Sequence, residues 1–177
     1  MQQETRRKWC WIGVAALGAL LYAPAGWAAR PQSDTQFAKA AGQANYSEVK
    51  LGQLAEQKSS NETVKDFGKR MAHDHEQSLD QLASIGSKQG IRVPKQMDPE
   101  AQAEYDRLAK LSGTEFDKEY AKLMVRDHQQ DIAKFQNEAT SGSDPAIKNY
   151  AQETLPTLQT HLQLAEQMEQ SVQKSGH

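Results

Sequence analysis

From Asp34 onward, apolar residues recur every three or four positions, and nowhere after Ala29 do they alternate with period two. That pattern predicts helices and no strands. A first segment, about Asp34 to Lys58, turns Phe37, Ala41, Ala44, Glu48, Leu51 and Ala55 inward. A second, about Ser60 to Gln89, turns in Val64, Phe67, Met71, His75, Leu79, Leu82 and Ile85. A third, about Gly113 to Thr140, turns in Phe116, Tyr120, Met124, His128, Ile132 and Phe135. The fourth, about Asp144 to Gln173, turns in Ile147, Ala151, Thr154, Leu158, His161, Ala165, Met168 and Val172. Each stripe is narrow, as in helices of an antiparallel bundle.

Polar residues mark the ends. Ser59-x-x-Glu62 and Ser112-x-x-Glu115 read as capping boxes, and Ser143 before Asp144-Pro145 reads as an N-cap. Pro156 falls inside the fourth segment, where a proline is expected to kink the helix. The tail from Glu169 to His177 is rich in Gln, Ser and Lys and is expected to fray. Only one connection is long. Gly90 to Gly113 contains Pro94, Pro99 and a short helical stretch from about Glu100 to Leu111.

An internal repeat orders these segments. Ser59 to His75 recurs 53 residues later as Ser112 to His128, with Ser, Glu, two Lys, Met, Asp and His in register and Phe67 matched by Tyr120. His75 and His128 therefore lie equally far from their helix starts. Parallel second and third helices would set both rings at one level, and the long connection can cross the bundle between them. Short turns elsewhere make the remaining neighbours antiparallel. The predicted fold is an all-α, ferritin-like, up-down-down-up four-helix bundle, with a long crossover containing a short helix.

Each helix places an ionisable group on its inner stripe: Glu48, His75, His128 and His161. Burying any of these unpaired costs several kcal/mol. Four in one layer pair with each other or hold a cation. One carboxylate and three imidazoles suit one divalent transition metal (zinc, iron, copper or manganese). Asp74 and Asp127, each preceding a repeated histidine, are placed to orient a ring or to serve as an extra ligand, and Asp131, one turn past His128, is a weaker candidate. His73 faces outward. His161 stands further from its connecting turn than His128 does. A metal-free polar core, with Glu48 hydrogen-bonded to His75, is the alternative.

Composition narrows the function. A net charge of -2 gives no whole-chain electrostatic basis for nucleic-acid binding. One cysteine, Cys10, excludes an intrachain disulfide and any Cys-based cluster. No glycine-rich phosphate loop or nucleophile elbow occurs. The first 28 residues differ in kind: Arg6, Arg7 and Lys8 precede an apolar run from Trp9 to Ala23, and Gly26 and Ala28 place small residues before a cut. This reads as a secretory signal peptide, residues 1–28, ahead of a bundle domain over 29–177. The run is short for a retained membrane anchor, so no integral span is expected after cleavage.

Val64-Lys-Asp-Phe-Gly-Lys-Arg-Met-Ala-His-Asp-His75, with Glu48 to Ala55 before it, resembles an exported bacterial family, the domain of unknown function numbered 4142. Phe116-Asp-x-x-Tyr120 through His128 and Leu155-Pro156 through His161 resemble its later motifs, so the likeness runs from about Asp34 to Met168. It implies a ferritin-like bundle secreted to the periplasm or outer membrane, and no assigned activity. Di-iron ferritins carry Glu three residues before two of their histidines; here those positions are Ala72 and Leu158. Three readings stay open: an exported, periplasmic bundle binding one metal, with an envelope or stress-related role; a degenerate ferritin-type oxidase or peroxidase; or a metal-free module whose polar faces dock an envelope protein partner.

Overall fold

The structure is a computed structural model that describes residues 33–174. The signal peptide expected over residues 1–28, with Cys10 and the cut after Ala28, lies outside the described residues. Five helices follow in order: α1 (Asp34–Lys58), α2 (Glu62–Lys88), α3 (Pro99–Ala109), α4 (Gly113–Ser141) and α5 (Pro145–Lys174). Among the described residues there is no strand, and no helix is long and apolar enough to cross a membrane.

The helix ends differ from the expected caps. The capping box that forms is at Ser33 and Gln36, each side chain bonding the other's backbone N–H at 3.3 Å. The Ser59/Glu62 box does not form, because α2 starts one residue after Asn61, whose Oδ1 accepts the Thr63 N–H at 3.0 Å. Ser59 instead closes α1 and donates its hydroxyl to Asp117 at 2.6 Å. Ser112 occupies the N-cap of α4 without a side-chain cap bond. At α5 the cap is Asp144, not Ser143: its Oδ1 accepts from Ala146 and Ile147. The N–H groups of Ser143 and Asp144 go to the Asp34 carboxylate, tying the start of α1 to the α4–α5 turn. α5 stays helical across the exposed Pro156. It also continues to Lys174 instead of fraying at Glu169, because Val172 keeps the Ala165, Met168 apolar period and is buried.

Two apolar clusters reveal the helix directions. One joins the end of α1 (Leu51, Leu54, Ala55) to the starts of α2 (Val64, Phe67, Met71) and α4 (Phe116, Tyr120, Met124) and the end of α5 (Ala165, Met168, Val172). The other joins the start of α1 (Phe37, Ala38, Ala41) to Leu82 near the end of α2, Phe135 late in α4 and Ile147, Tyr150 and Ala151 early in α5. α2 and α4 therefore run parallel to each other and antiparallel to α1 and α5, giving the up-down-down-up order. α1 packs along α2 and α4 along α5, with narrower contacts of α2 on α5 and α1 on α4. The α1–α2 backbones touch at glycines. A Cβ on Gly52 would run into the Gly68 carbonyl oxygen, and one on Gly68 would stand 2.7 Å from that of Gly52.

The crossover spans the bundle lengthwise. Ile91 and Val93 pack on the second cluster, and Leu108 of α3 is fully buried in the first. α3 rests against α1 and α4, and Lys58 on α1 donates to the Ala109 carbonyl at its end. Between the two apolar clusters lies a layer of buried polar side chains: Asn45 and Glu48 on α1, His75 on α2, His128 and Asp131 on α4, and His161 on α5.

Candidate metal centre

His75 and His128 reach this layer from the same place in the repeat. Each sits four residues beyond a buried Met, Met71 or Met124, on the inner face of its helix. The parallel run of α2 and α4 then sets the rings level, with centroids 5.6 Å apart. His161 arrives from antiparallel α5, its ring 5.3 Å from His75 and 5.4 Å from His128. Its greater distance from the α4–α5 turn does not remove it from the layer, because a helix can slide along its neighbour while keeping ridges in grooves. The three rings form a nearly equilateral triangle, and one nitrogen of each lies within 4.8 Å of the other two.

Hydrogen bonds fix how each ring presents itself. His128 Nδ1 faces the Met124 carbonyl oxygen at 2.8 Å, which can only accept, so Nδ1 carries the proton. His161 Nε2 faces the Asp74 carboxylate at 2.9 Å and likewise donates. His75 Nδ1 lies 2.9 Å from Asn45 Oδ1, while the Asn45 amide donates to the Ala41 carbonyl and the Tyr150 hydroxyl. That leaves His75 Nε2, His128 Nε2 and His161 Nδ1 as bare lone pairs. Those three buried atoms have no hydrogen-bond partner among the described residues. Burial lowers the pKa of all three rings, His75 well below the usual value and His128 to about 4; for His75, repulsion from the other two rings adds to it. Asp74 partly opposes the shift at His161. The rings are neutral at pH 7, as metal-ligating imidazoles must be.

Three converging lone pairs with no donor among them repel one another and leave hydrogen-bonding capacity unused, a costly arrangement in a core. A cation satisfies all three. The outer nitrogens already hold the carboxylate, amide and carbonyl partners that orient ligating histidines. The donor set therefore fits a divalent transition metal, bound by three imidazoles with a further position left for water or another ligand.

Glu48 and Asp127, placed by sequence with the three histidines, are not in this triangle. Glu48 is buried, with Oε2 unpartnered, and its pKa is raised well above the usual range, first by burial and then by the charges of Asp127 and Asp131. It faces a cavity between α1, α3 and α4 that Asp127 and Asp131 also line. Asp127 bonds Arg126 at 3.1 Å, and its pKa is raised to about 6, chiefly by burial. Asp131 pairs with Lys134 at 2.9 Å, and burial raises its pKa as well. His73 is exposed, as its helical position predicts, with its ring near Gln77. Sequence reasoning missed Asn45. It lies one turn before Glu48 on the same stripe, and its signal was a polar residue among Ala41, Ala44 and Leu51.

Solved structures share this fold at low sequence identity. A DUF305 fragment from Deinococcus radiodurans superposes with a TM-score of 0.68 at 18% identity, covering 81% of this chain and 97% of that one. A DUF305 protein of Streptomyces coelicolor, described as secreted, gives 0.67 at 15% identity over 80% and 93%. CopM in its Cu(II)-bound form gives 0.67 at 17% identity over 78% and 97%. No curated protein sequence matches the chain. The family described as "Domain of unknown function (DUF4142)" matches residues 22–168, across the four long helices and all three histidines, and the chain belongs to that family.

Proposed function

We propose that this protein is an exported copper-binding bundle that holds one Cu(II) ion through His75, His128 and His161, serving metal handling or protection in the cell envelope. The observation that carries the reading is the convergence of three unpartnered imidazole lone pairs whose opposite nitrogens are each tied down. Neutral imidazoles favour borderline metals, and affinity among first-row divalent ions peaks at copper. CopM, of the same fold, is known in a Cu(II)-bound form, which supports copper over zinc. The basic-apolar-small pattern of residues 1–28 supports export. Bound metal would supply a Lewis acid in the buried layer. The protein's own part is to fix three rings in one tautomer each.

The test is copper titration of the mature protein, followed by electron paramagnetic resonance for nitrogen-coordinated Cu(II) and by metal analysis. One ion per chain with a three-nitrogen signature, lost in His128→Ala, is the expected result. Identical melting curves with and without copper and zinc would overturn it and leave the triad as a structural polar core. N-terminal sequencing of protein from cells should begin at Ala29; an intact Met1 on membrane-bound protein would overturn the export part.

A further inference from the structure

Beside the triad, on the α1/α3/α4 flank, lies a cavity of about 120 Å³, with Glu100, Arg126 and Gln130 exposed at its rim. Its lining includes six carboxylates, Glu48, Asp98, Glu100, Glu104, Asp127 and Asp131, and two cationic side chains, Arg126 and Lys134. Both cations are already engaged. Arg126 bonds Asp127 and Glu104 at 3.1 and 3.2 Å, and Lys134 bonds Asp131 at 2.9 Å. Glu48 is left over. It is 3% exposed, lines the cavity, and its Oε2 has no hydrogen-bond partner among the described residues. A buried carboxyl group without a partner is costly, so this oxygen marks a place where a ligand would be favourable.

We propose that this cavity is a second cation site, distinct from the imidazole triad, which takes a partly hydrated hard divalent cation of the Mg²⁺/Mn²⁺ class through Glu48 with Asp127 and Asp131. All the donors are oxygens, the set that hard cations select and copper does not require. The carboxylates are not drawn into one tight group as the imidazole nitrogens are. A small cation that keeps several waters suits that spacing, and the cavity has room for them. The site stands apart from the triad in chemistry but not in sequence: Asp127 adjoins His128, Asp131 is one turn beyond it, and Glu48 is one turn from Asn45.

Mn²⁺ is the probe, followed through loss of its aqueous electron paramagnetic resonance signal on the mature protein. Wild type and His128→Ala should each bind one Mn²⁺ per chain, saturably, below millimolar concentration. Glu48→Gln and Asp127→Asn should each weaken binding at least tenfold, with circular dichroism showing the helices intact, and Glu48→Asp should restore part of it. If Mn²⁺ binding is absent in wild type, or is lost in His128→Ala and kept in Glu48→Gln, the proposal is overturned. Failure of the copper reading shows separately, as a wild type that binds no copper, and leaves the Mn²⁺ comparison intact.

Discussion

Asp74 and Asp127 hold the same place in the 53-residue repeat, each just before a ligand-type histidine, yet they do different jobs. On the α2/α5 flank, Asp74 reaches across to His161 Nε2 at 2.9 Å and fixes that ring. On the α1/α4 flank, Asp127 turns from the rings to Arg126 and the cavity shared with Glu48. The helix supplies both aspartates at one angle, and the neighbour decides the role. α5 offers Asp74 an imidazole, whereas on the other flank Asp127 shares its cavity with Glu48 of α1 and takes its partner, Arg126, from the surface. The repeated Asp-His step thus makes an orienting contact on one side and lines an oxygen-rich pocket on the other.

The largest expected effect is at the triad itself. With copper at about a hundredfold over its dissociation constant, native-state binding adds about 2.7 kcal/mol, which in a chain of this size raises the melting temperature by roughly 5–10 °C. His75→Ala and His128→Ala should each abolish that rise, while His73→Ala on the exposed face should preserve it. Calorimetry with and without copper checks this.

Next in size is an acid limb in the metal-free protein. The His128 pKa is lowered to about 4 from 6.5, so between those values the unfolded chain binds a proton that the native chain refuses. Stability therefore falls as pH drops through that window, by roughly 3 kcal/mol from this ring alone. His75 and His161 act in the same direction. Asp127 and Glu138, with pKa values raised to about 6 and about 7, act oppositely: the native chain holds their protons longer, so they cost stability as pH rises toward those values. Urea melts from pH 7 to 4 should show His128→Gln losing less stability with acid than wild type.

The two aspartates separate at the third level. Asp74→Asn should weaken copper binding by about 10–100-fold, the usual range for losing a ligand-orienting contact, and so should Asn45→Ala. Asp127→Asn should leave copper affinity within about twofold. Equal losses from both aspartate variants would erase the distinction between the flanks. Smallest is Glu48→Gln, expected to leave metal-free stability unchanged or raise it by up to about 1 kcal/mol, because a neutral amide replaces a buried ionisable group. A thermal melt in the presence of a chelator reads it.

The helices were legible because the apolar period persists for seven or eight turns at a time. Their directions were legible because Met71-to-His75 recurs at Met124-to-His128, and parallel helices require a crossover like 89–112. The caps were less legible. Ser59 and Asn61 both suit an N-cap, and the choice depends on Asp117, distant in sequence, which takes the Ser59 hydroxyl. In the polar layer, the period marked Glu48 as inward but could not say toward which neighbour. A helix stripe spans more than one direction, and one turn separates Asn45, which meets His75, from Glu48, which meets the cavity. Glu138, buried at the far end near Asp34 and Asp144, was invisible for a related reason: its partners come from the start of α1 and the α4–α5 turn.

The pairing of α1 with α2 and of α4 with α5 makes the molecule two hairpins laid together, and the triad takes one ring from the first and two from the second. Neither hairpin owns a complete site. An ion held by all three rings would be a rivet through the seam, and its release would be timed by how often the seam opens. Dissociation of copper should therefore share its temperature dependence with hydrogen exchange at the α2–α5 contact, and a chelator in solution, however strong, would wait on the protein's own breathing.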